Sequence, residues 1–273
     1  MGHVSFETFY SRWIKEEKNY VQDLRLALQQ QKSQQDVSLL VQACHAHYQD
    51  YVNAKINAIQ TDCLDVAAET WISPLEAGFL WMGGWRPTTG IILAYSLMGV
   101  QIESELHKLL EGIEVPSLAA LSAKQLSCLN SLQQENCVAE DELSSCLARL
   151  QMSVADQQMV FAAMTESPIS ETNDCTMISK AIEAKLNGLR DIMVKAELLR
   201  SQTVAAIIDI LTPIQAAQYA VAALEMTTAV KKLGSQQLDA THLSTDPLPN
   251  DASWFSRGLE LGTKETLDAK LTN

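Results

Sequence analysis

A chain of 273 residues with 47% hydrophobic composition is long enough to bury a sizeable core. The charge balance, 33 acidic against 20 basic residues, and the lack of any basic run exclude a nucleic-acid surface built on phosphate contacts. No apolar stretch reaches the ~18 residues of a membrane span. The six cysteines form no CxxC pair, so they predict free thiols in a reducing compartment.

In chain order, Phe6, Phe9, Tyr10, Trp13, Tyr20, Val21, Leu24 and Leu28 recur at i, i+3, i+4 spacing with one gap, at Glu17. They predict an amphipathic helix of about 25 residues. The polar patch "QQQKSQQD" breaks it. A second helix then carries Val37, Val41, Cys44, Tyr48, Tyr51, Ile56 and Ile59 on one face.

The stretch "WISPLEAGFLWMGGWRPTTG", residues 71–90, holds three tryptophans, a Gly-Gly pair and an Arg-Pro. Ser73 and Glu76 have the spacing of a capping box, with Pro74 at the first helical position. "PLEAGFLWM" is therefore expected to be helical and to end in a left-handed turn at Gly83-Gly84. Pro87 opens the next helix, expected to stop at Gly99. The result is a short helix–turn–helix corner over 73–99.

Ser122-Gln125 and Thr212-Gln215 repeat the capping-box spacing and start two further helices. The first carries Leu126, Leu129, Leu132, Leu143, Leu147, Leu150 and Val154. The second is expected to run to Gly234. Between them Ile178, Ile182, Leu189, Met193, Ala196, Thr203, Ile207 and Ile210 recur at helical spacing, after a loop at 165–173. No strand pattern stands out. The fold class is all-α, a bundle of long amphipathic helices over 5–234. The polar segment 235–273, with Pro247 and Pro249, reads as a flexible tail in which Trp254-Phe255 is a candidate docking anchor.

No local motif carries catalysis. There is no GxSxG and no HExxH. "GGWRP" follows a helix rather than a strand, which suits a helix cap better than a phosphate cradle. His45 and His47 diverge by about 200° on a helix and cannot chelate one ion. Cys128, Cys137 and Cys146, nine residues apart, cannot share a face, so no metal site is expected. Binding remains. Phe79, Trp81, Met82, Trp85 and Arg86 fill the junction of two helices, or else line an apolar pocket there. In the pocket Arg86 is placed to pair with a carboxylate.

"WISPLEAGFLWMGGWRP" resembles the signature of the plant seed-dormancy-control domain, typified by delay-of-germination proteins and shared with the C-terminal half of TGA-type bZIP transcription factors. "CHAHYQDYVNAK", "LSAKQLSCLNSLQQE" and "AELLRSQTVAAIIDILTPIQAAQYAVA" extend the likeness over about residues 5–234. The resemblance implies a helical, non-enzymatic module that binds protein partners. In the TGA group these are coactivators of the salicylate-response type and a second copy of the domain. In the dormancy group they are type 2C protein phosphatases of abscisic-acid signalling. It also implies nuclear and cytoplasmic location, and an apolar pocket for a fatty-acid-like ligand.

Only "MGHVS" precedes the domain, so the likeness is to the stand-alone group, and no direct DNA binding is expected. Tyr10 and Trp13 match the dormancy group's phosphatase-contact segment, whereas Thr8, Phe9, Ser11 and Arg12 depart from it. Thr227 and Lys231 stand where histidines would hold haem in dormancy members, so haem is not expected. The candidate partner surface is Tyr10, Trp13, Trp85 and Arg86. The leading reading is a docking module. The alternatives are a fatty-acid sensor and a cofactor that dimerises with TGA factors; whether the chain forms a homodimer stays open.

Overall fold

The computed structural model of the chain describes residues 6–69, 71–110, 121–165 and 177–243. Among these the architecture is all-α. The helices are α1 (Phe6–Gln29), α2 (Gln34–Thr61), α3 (Cys63–Ala68), α4 (Pro74–Ala77), α5 (Pro87–Leu110), α6 (Ala123–Met152), α7 (Gln157–Thr165), α8 (Met177–Ile210) and α9 (Pro213–Leu243). A 3₁₀ turn, Ser153–Ala155, joins α6 to α7. No helix among the described residues is long and apolar enough to cross a membrane.

The helix starts follow the sequence chemistry. Ser73 accepts from the Glu76 backbone N–H while the Glu76 carboxylate accepts from the Ser73 N–H, and Ser122 and Gln125 do the same at α6. Thr212 and Gln215 form the third box, with Thr212 N–H donating to Gln215 Oε1 at 2.9 Å. Each box satisfies backbone donors that a helix start would otherwise leave bare.

The main core gathers one stripe from each of six helices: Leu24 of α1, Val41 of α2, Ile91 of α5, Leu129 of α6, Ile207 of α8 and Ala217 of α9. Each is nearly or wholly buried. Burial of such side chains contributes about 1.5–3 kcal/mol each. A satellite core of Ile59, Cys63, Val66 and Met193 ties α3 to α2 and α8. The long helix α8 lies against α2, α3, α5, α6 and α7 and is the spine of the bundle.

Four boundaries differ from the sequence expectation. Helix α4 stops at Ala77, four residues long, instead of continuing to Met82. The chain leaves it in tight turns, with Phe79 N–H on Glu76 O and Leu80 N–H on Ala77 O. Helix α5 passes through Gly99 to Leu110, because one exposed glycine costs a helix only about 1 kcal/mol. The leucine series ending at Val154 outlasts its helix: α6 closes at Met152 and Val154 is exposed in the 3₁₀ turn.

Helix α9 passes through Gly234. This glycine is required by packing: a Cβ there would lie 2.0 Å from Ser73 Oγ and 2.7 Å from Ser73 Cβ. Gly234 thus lets α9 cross the capped start of α4, a close approach that looks like a helix stop in the sequence. The compact unit runs to Gly234, and of the second unit, 235–273, the described part 235–243 is helical. Trp254-Phe255 and most of the expected loop at 165–173 lie outside the described residues.

Candidate functional site

The Gly-Gly segment forms a tight turn. Trp81 N–H donates to Gly84 O at 2.7 Å and Gly84 N–H donates back to Trp81 O at 3.3 Å. Met82 and Gly83 have φ of 50° and 79°, the pair of positive values that a type I′ turn requires. A methionine held at positive φ is strained by about 1–2 kcal/mol, so other contacts must hold the turn.

Those contacts come from two helices far away in sequence. Arg200 of α8 donates through Nε to Trp85 O at 2.8 Å, and through Nη2 to Met82 O at 2.8 Å and to Trp81 O. Lys55 of α2 donates to Gly83 O and to Tyr51 Oη at 3.1 Å. Glu197, one helical turn before Arg200, bridges the two cations: its Oε2 lies 2.6 Å from Arg200 Nη1 and 3.1 Å from Lys55 Nζ. Lys55 is 1% exposed and Glu197 0%.

Burial pushes Lys55 below its ordinary value, against the pull of Glu197. Burial alone would raise Glu197, but Lys55 and Arg200 together hold it below the usual carboxylate range. The geometry also explains Gly84: a Cβ there would meet Arg200 Cζ and Nε at 2.8 Å and Lys55 Nζ at 3.2 Å.

A second set of contacts fixes the other side of the corner. Glu140 of α6 accepts from Thr88 N–H at 2.7 Å and Thr88 Oγ1 at 3.0 Å, and pairs with Arg86 Nε at 3.3 Å. Glu140 thereby caps the start of α5 from a neighbouring helix. Ser144 accepts from Trp81 Nε1 at 3.1 Å, and the Arg86 guanidinium lies 5.6 Å from the Trp81 ring centre.

Beneath the corner lies a cavity of about 250 Å³. Its wall is mainly apolar and aromatic, and its polar end is formed by Lys55, Glu69, Glu197 and Arg200. Tyr10, Trp13 and Glu17 of α1 also line it, with the Trp13 ring 4.8 Å from the Tyr51 ring that Lys55 bonds. Trp13 donates to His47 O at 2.9 Å and stacks on the His47 ring at 4.9 Å, 7° from parallel. Lys231 Nζ sits 4.1 Å from the Tyr10 ring centre. Burial pushes the Glu17 carboxyl up to about 7, with Lys231 opposing. It also raises the hydroxyls of Tyr10, Tyr51 and Tyr219 above the ordinary tyrosine value.

Of the residues singled out from the sequence, Tyr10, Trp13, Trp85 and Arg86 meet around this one cavity. Trp13 is buried, at 8% exposure, while Arg86 is exposed. Trp81 and Met82 hold the turn beside the cavity rather than lining it, and Phe79 points outward, 63% exposed. Thr227 lines the cavity, and its hydroxyl bonds its own helix at Ala223 O.

Lys55, Glu197, Arg200 and Glu140 do not stand out in the sequence, and Glu17 does so only as the gap in the α1 stripe. Their signal was a charged residue in phase with an apolar stripe. Lys55 lies between Val52 and Ile59, Arg200 between Ala196 and Thr203, and Glu17 between Trp13 and Leu24. A charge at such a position is buried and must be paired. Among the described residues no group of three His, Cys, Asp or Glu stands where it could hold a metal ion.

Comparison with known proteins matches residues 20–96 to the family described as seed dormancy control. The chain is 32% identical to Protein DOG1-like 3 of Arabidopsis thaliana over 234 residues, 82% of either chain. It is 34% identical to Transcription factor TGAL3 of Oryza sativa subsp. japonica over 80% of this chain and 52% of that one. With Transcription factor TGA2 of Arabidopsis thaliana the identity is 30%, over 86% of this chain and 64% of that one. The chain thus spans between half and two thirds of the length of these transcription factors. None of these relatives is named as an enzyme.

Proposed function

We infer the role of this chain starting from the family it belongs to, seed dormancy control. We propose that it is a regulatory module of plant seed dormancy and of the abscisic-acid or a related hormone response. It acts in the nucleus and cytoplasm by docking a protein partner, and it makes and breaks no bonds. The partner is a type 2C protein phosphatase, a TGA-type factor or a salicylate-type coactivator.

The observation that carries this reading is Phe79. It is a large aromatic, 63% exposed, two residues before a turn fastened by Arg200 and Lys55. Association is favoured when an aromatic anchor is presented in a fixed position, because little freedom is lost on binding. Arg86, exposed on the same corner, supplies the polar rim.

The test is binding of the purified chain to each of the three partner types, with Phe79→Ala and Arg86→Ala beside it. Phe79→Ala is expected to weaken binding about ten-fold or more with an unchanged melting temperature. Unchanged affinity for every partner overturns the reading.

The cavity favours a second reading, a sensor of a small apolar ligand. The resemblance suggests a fatty-acid-like ligand, and the aromatic wall around Tyr10, Trp13 and Trp85 suits an acyl chain. Lipids extracted from the purified protein and analysed by mass spectrometry test it; an extract free of stoichiometric ligand counts against it.

A further inference from the structure

The head group that the cavity accepts can be read from which polar atoms around it are already used. Lys55 has three N–H donors, and all three are engaged: by Glu197 Oε2, Tyr51 Oη and Gly83 O. Arg200 has five, of which four bonds are taken by Glu197 Oε2 and by the carbonyls of Trp81, Met82 and Trp85. Arg86 is turned to Glu140 and Ser144.

Apart from one N–H on Arg200 Nη1, the buried atoms left over at this end are acceptors. Glu197 Oε1 is buried without a hydrogen-bond partner, on a side chain that is wholly enclosed and lines the cavity. Glu69 Oε1 is likewise buried without a partner. It lies at the same end, 3.6 Å from where a Cβ on Gly83 would stand. A buried acceptor left bare is costly, and a ligand donor that reaches it recovers that cost.

Charge points the same way. Lys55 and Arg200 are balanced by Glu197 and Glu69, Arg86 is paired with Glu140, and Glu17 and Glu76 face Lys231. A ligand carboxylate at this end would stand beside the Glu197 and Glu69 carboxylates, whose neighbours Lys55 and Arg200 are already bonded to other groups. A ligand ammonium would have to shed its own hydration. A hydroxyl avoids both penalties.

We propose that the cavity takes an uncharged, mainly apolar molecule whose head group donates its one hydrogen bond to the bare Glu69 Oε1 at this end: an alcohol, in place of a fatty acid. An apolar cavity of 150 Å³ accepts benzene, so one of about 250 Å³ accommodates on the order of ten heavy atoms. The proposal rests on the reading of the cavity as a ligand site and fixes the chemistry of that ligand.

The test titrates the full chain at neutral pH with 1-nonanol, nonanoic acid and nonylamine. It is read by tryptophan fluorescence, since Trp13, Trp71 and Trp85 line the cavity, and by the shift in melting temperature that binding to the folded state produces. Nonanol is expected to bind at least ten-fold more tightly than the other two. Glu69→Ala, which removes the accepting oxygen and leaves the hydrogen bonds among Lys55, Glu197 and Arg200 in place, is expected to weaken nonanol at least three-fold and leave nonanoate unchanged or tighter. Ala223→Leu, which fills the cavity, is expected to abolish binding of all three. Nonanoate or nonylamine binding as tightly as nonanol overturns the head-group assignment while the ligand site stands. Absence of binding by all three overturns the ligand site itself.

Discussion

Gln125 of α6 donates a hydrogen bond from Nε2 to Gln215 Oε1 of α9, at 2.8 Å, and so joins two capping boxes into one unit. The same nitrogen lies 2.9 Å from Ile210 O at the end of α8, while Gln125 Oε1 accepts from Ser122 N–H. One side chain thus satisfies polar backbone groups at the ends of two helices and fixes the start of α9. Gln125→Ala is expected to lower unfolding free energy by about 1–3 kcal/mol, the cost of buried groups left unpaired. Ser122→Ala removes only a cap and is expected to cost about 1 kcal/mol. Urea unfolding of both variants checks the order; equal losses contradict the joined caps.

The two glycines of the turn are required for different reasons, and alanine separates them. At Gly83 there is room, with Met193 Cε 3.5 Å from the added carbon, but φ is 79°. Gly83→Ala therefore costs backbone strain of about 1–2 kcal/mol. At Gly84 the added carbon collides with the Arg200 guanidinium and Lys55 Nζ. Gly84→Ala must displace the clamp and is expected to cost more, about 3 kcal/mol, the upper end for overpacking. Melting temperatures of the pair, measured together, test the ranking.

Arg200→Lys keeps the charge and loses the fork. An ammonium can reach Glu197, but it cannot also serve the three carbonyls of Trp81, Met82 and Trp85 from one planar group. The variant is expected to unfold about 2–4 kcal/mol more easily. It should also expose amides 81–85 to hydrogen exchange well before the core helices open. Exchange rates in the corner equal to those of the parent would contradict a clamp.

Glu17 makes stability depend on pH. Its folded value of about 7 stands above the ordinary 4.5. Below 4.5 both folded and unfolded chains hold the proton. Between 4.5 and about 7 the unfolded chain releases it and the folded chain keeps it, so this group's contribution falls as pH rises. The drop is on the order of 3 kcal/mol across the window, and it levels off above the folded value. Glu17→Gln is expected to remove that slope and to be more stable than the parent above pH 7, with little difference below pH 5. Unfolding at a series of pH values checks it; parallel curves for the two proteins would refute it.

The bundle was readable from the sequence because its signals are local. Ser73-Glu76, Ser122-Gln125 and Thr212-Gln215 place helix starts by chemistry within four residues, and the apolar stripes of α1, α2 and α8 recur in step with a helical turn. The site was readable only in part. The corner around Trp85 and Arg86 stood out by composition. Lys55, Glu140 and Glu197 act on it across gaps of tens of residues, so no local pattern joins them to it. Gly234 misled for a related reason. A glycine that ends a helix and one that admits a neighbour's hydroxyl are the same letter, and only Ser73 tells them apart. Helix α4 is shorter than its pattern because Trp81 and Met82 follow helical spacing, yet their carbonyls serve Arg200, and that of Gly83 serves Lys55, instead of continuing the helix.

The peptide units of 81–85 have two audiences. Inward, their carbonyls hold Arg200 and Lys55 at the cavity; outward, the chain just before them carries Phe79 into solvent. Since Arg200 and Lys55 fasten the turn that follows it, the exposed ring is mounted on the same clamp that bounds the hollow. One anchorage of backbone thus serves both the interior and the face turned to solvent.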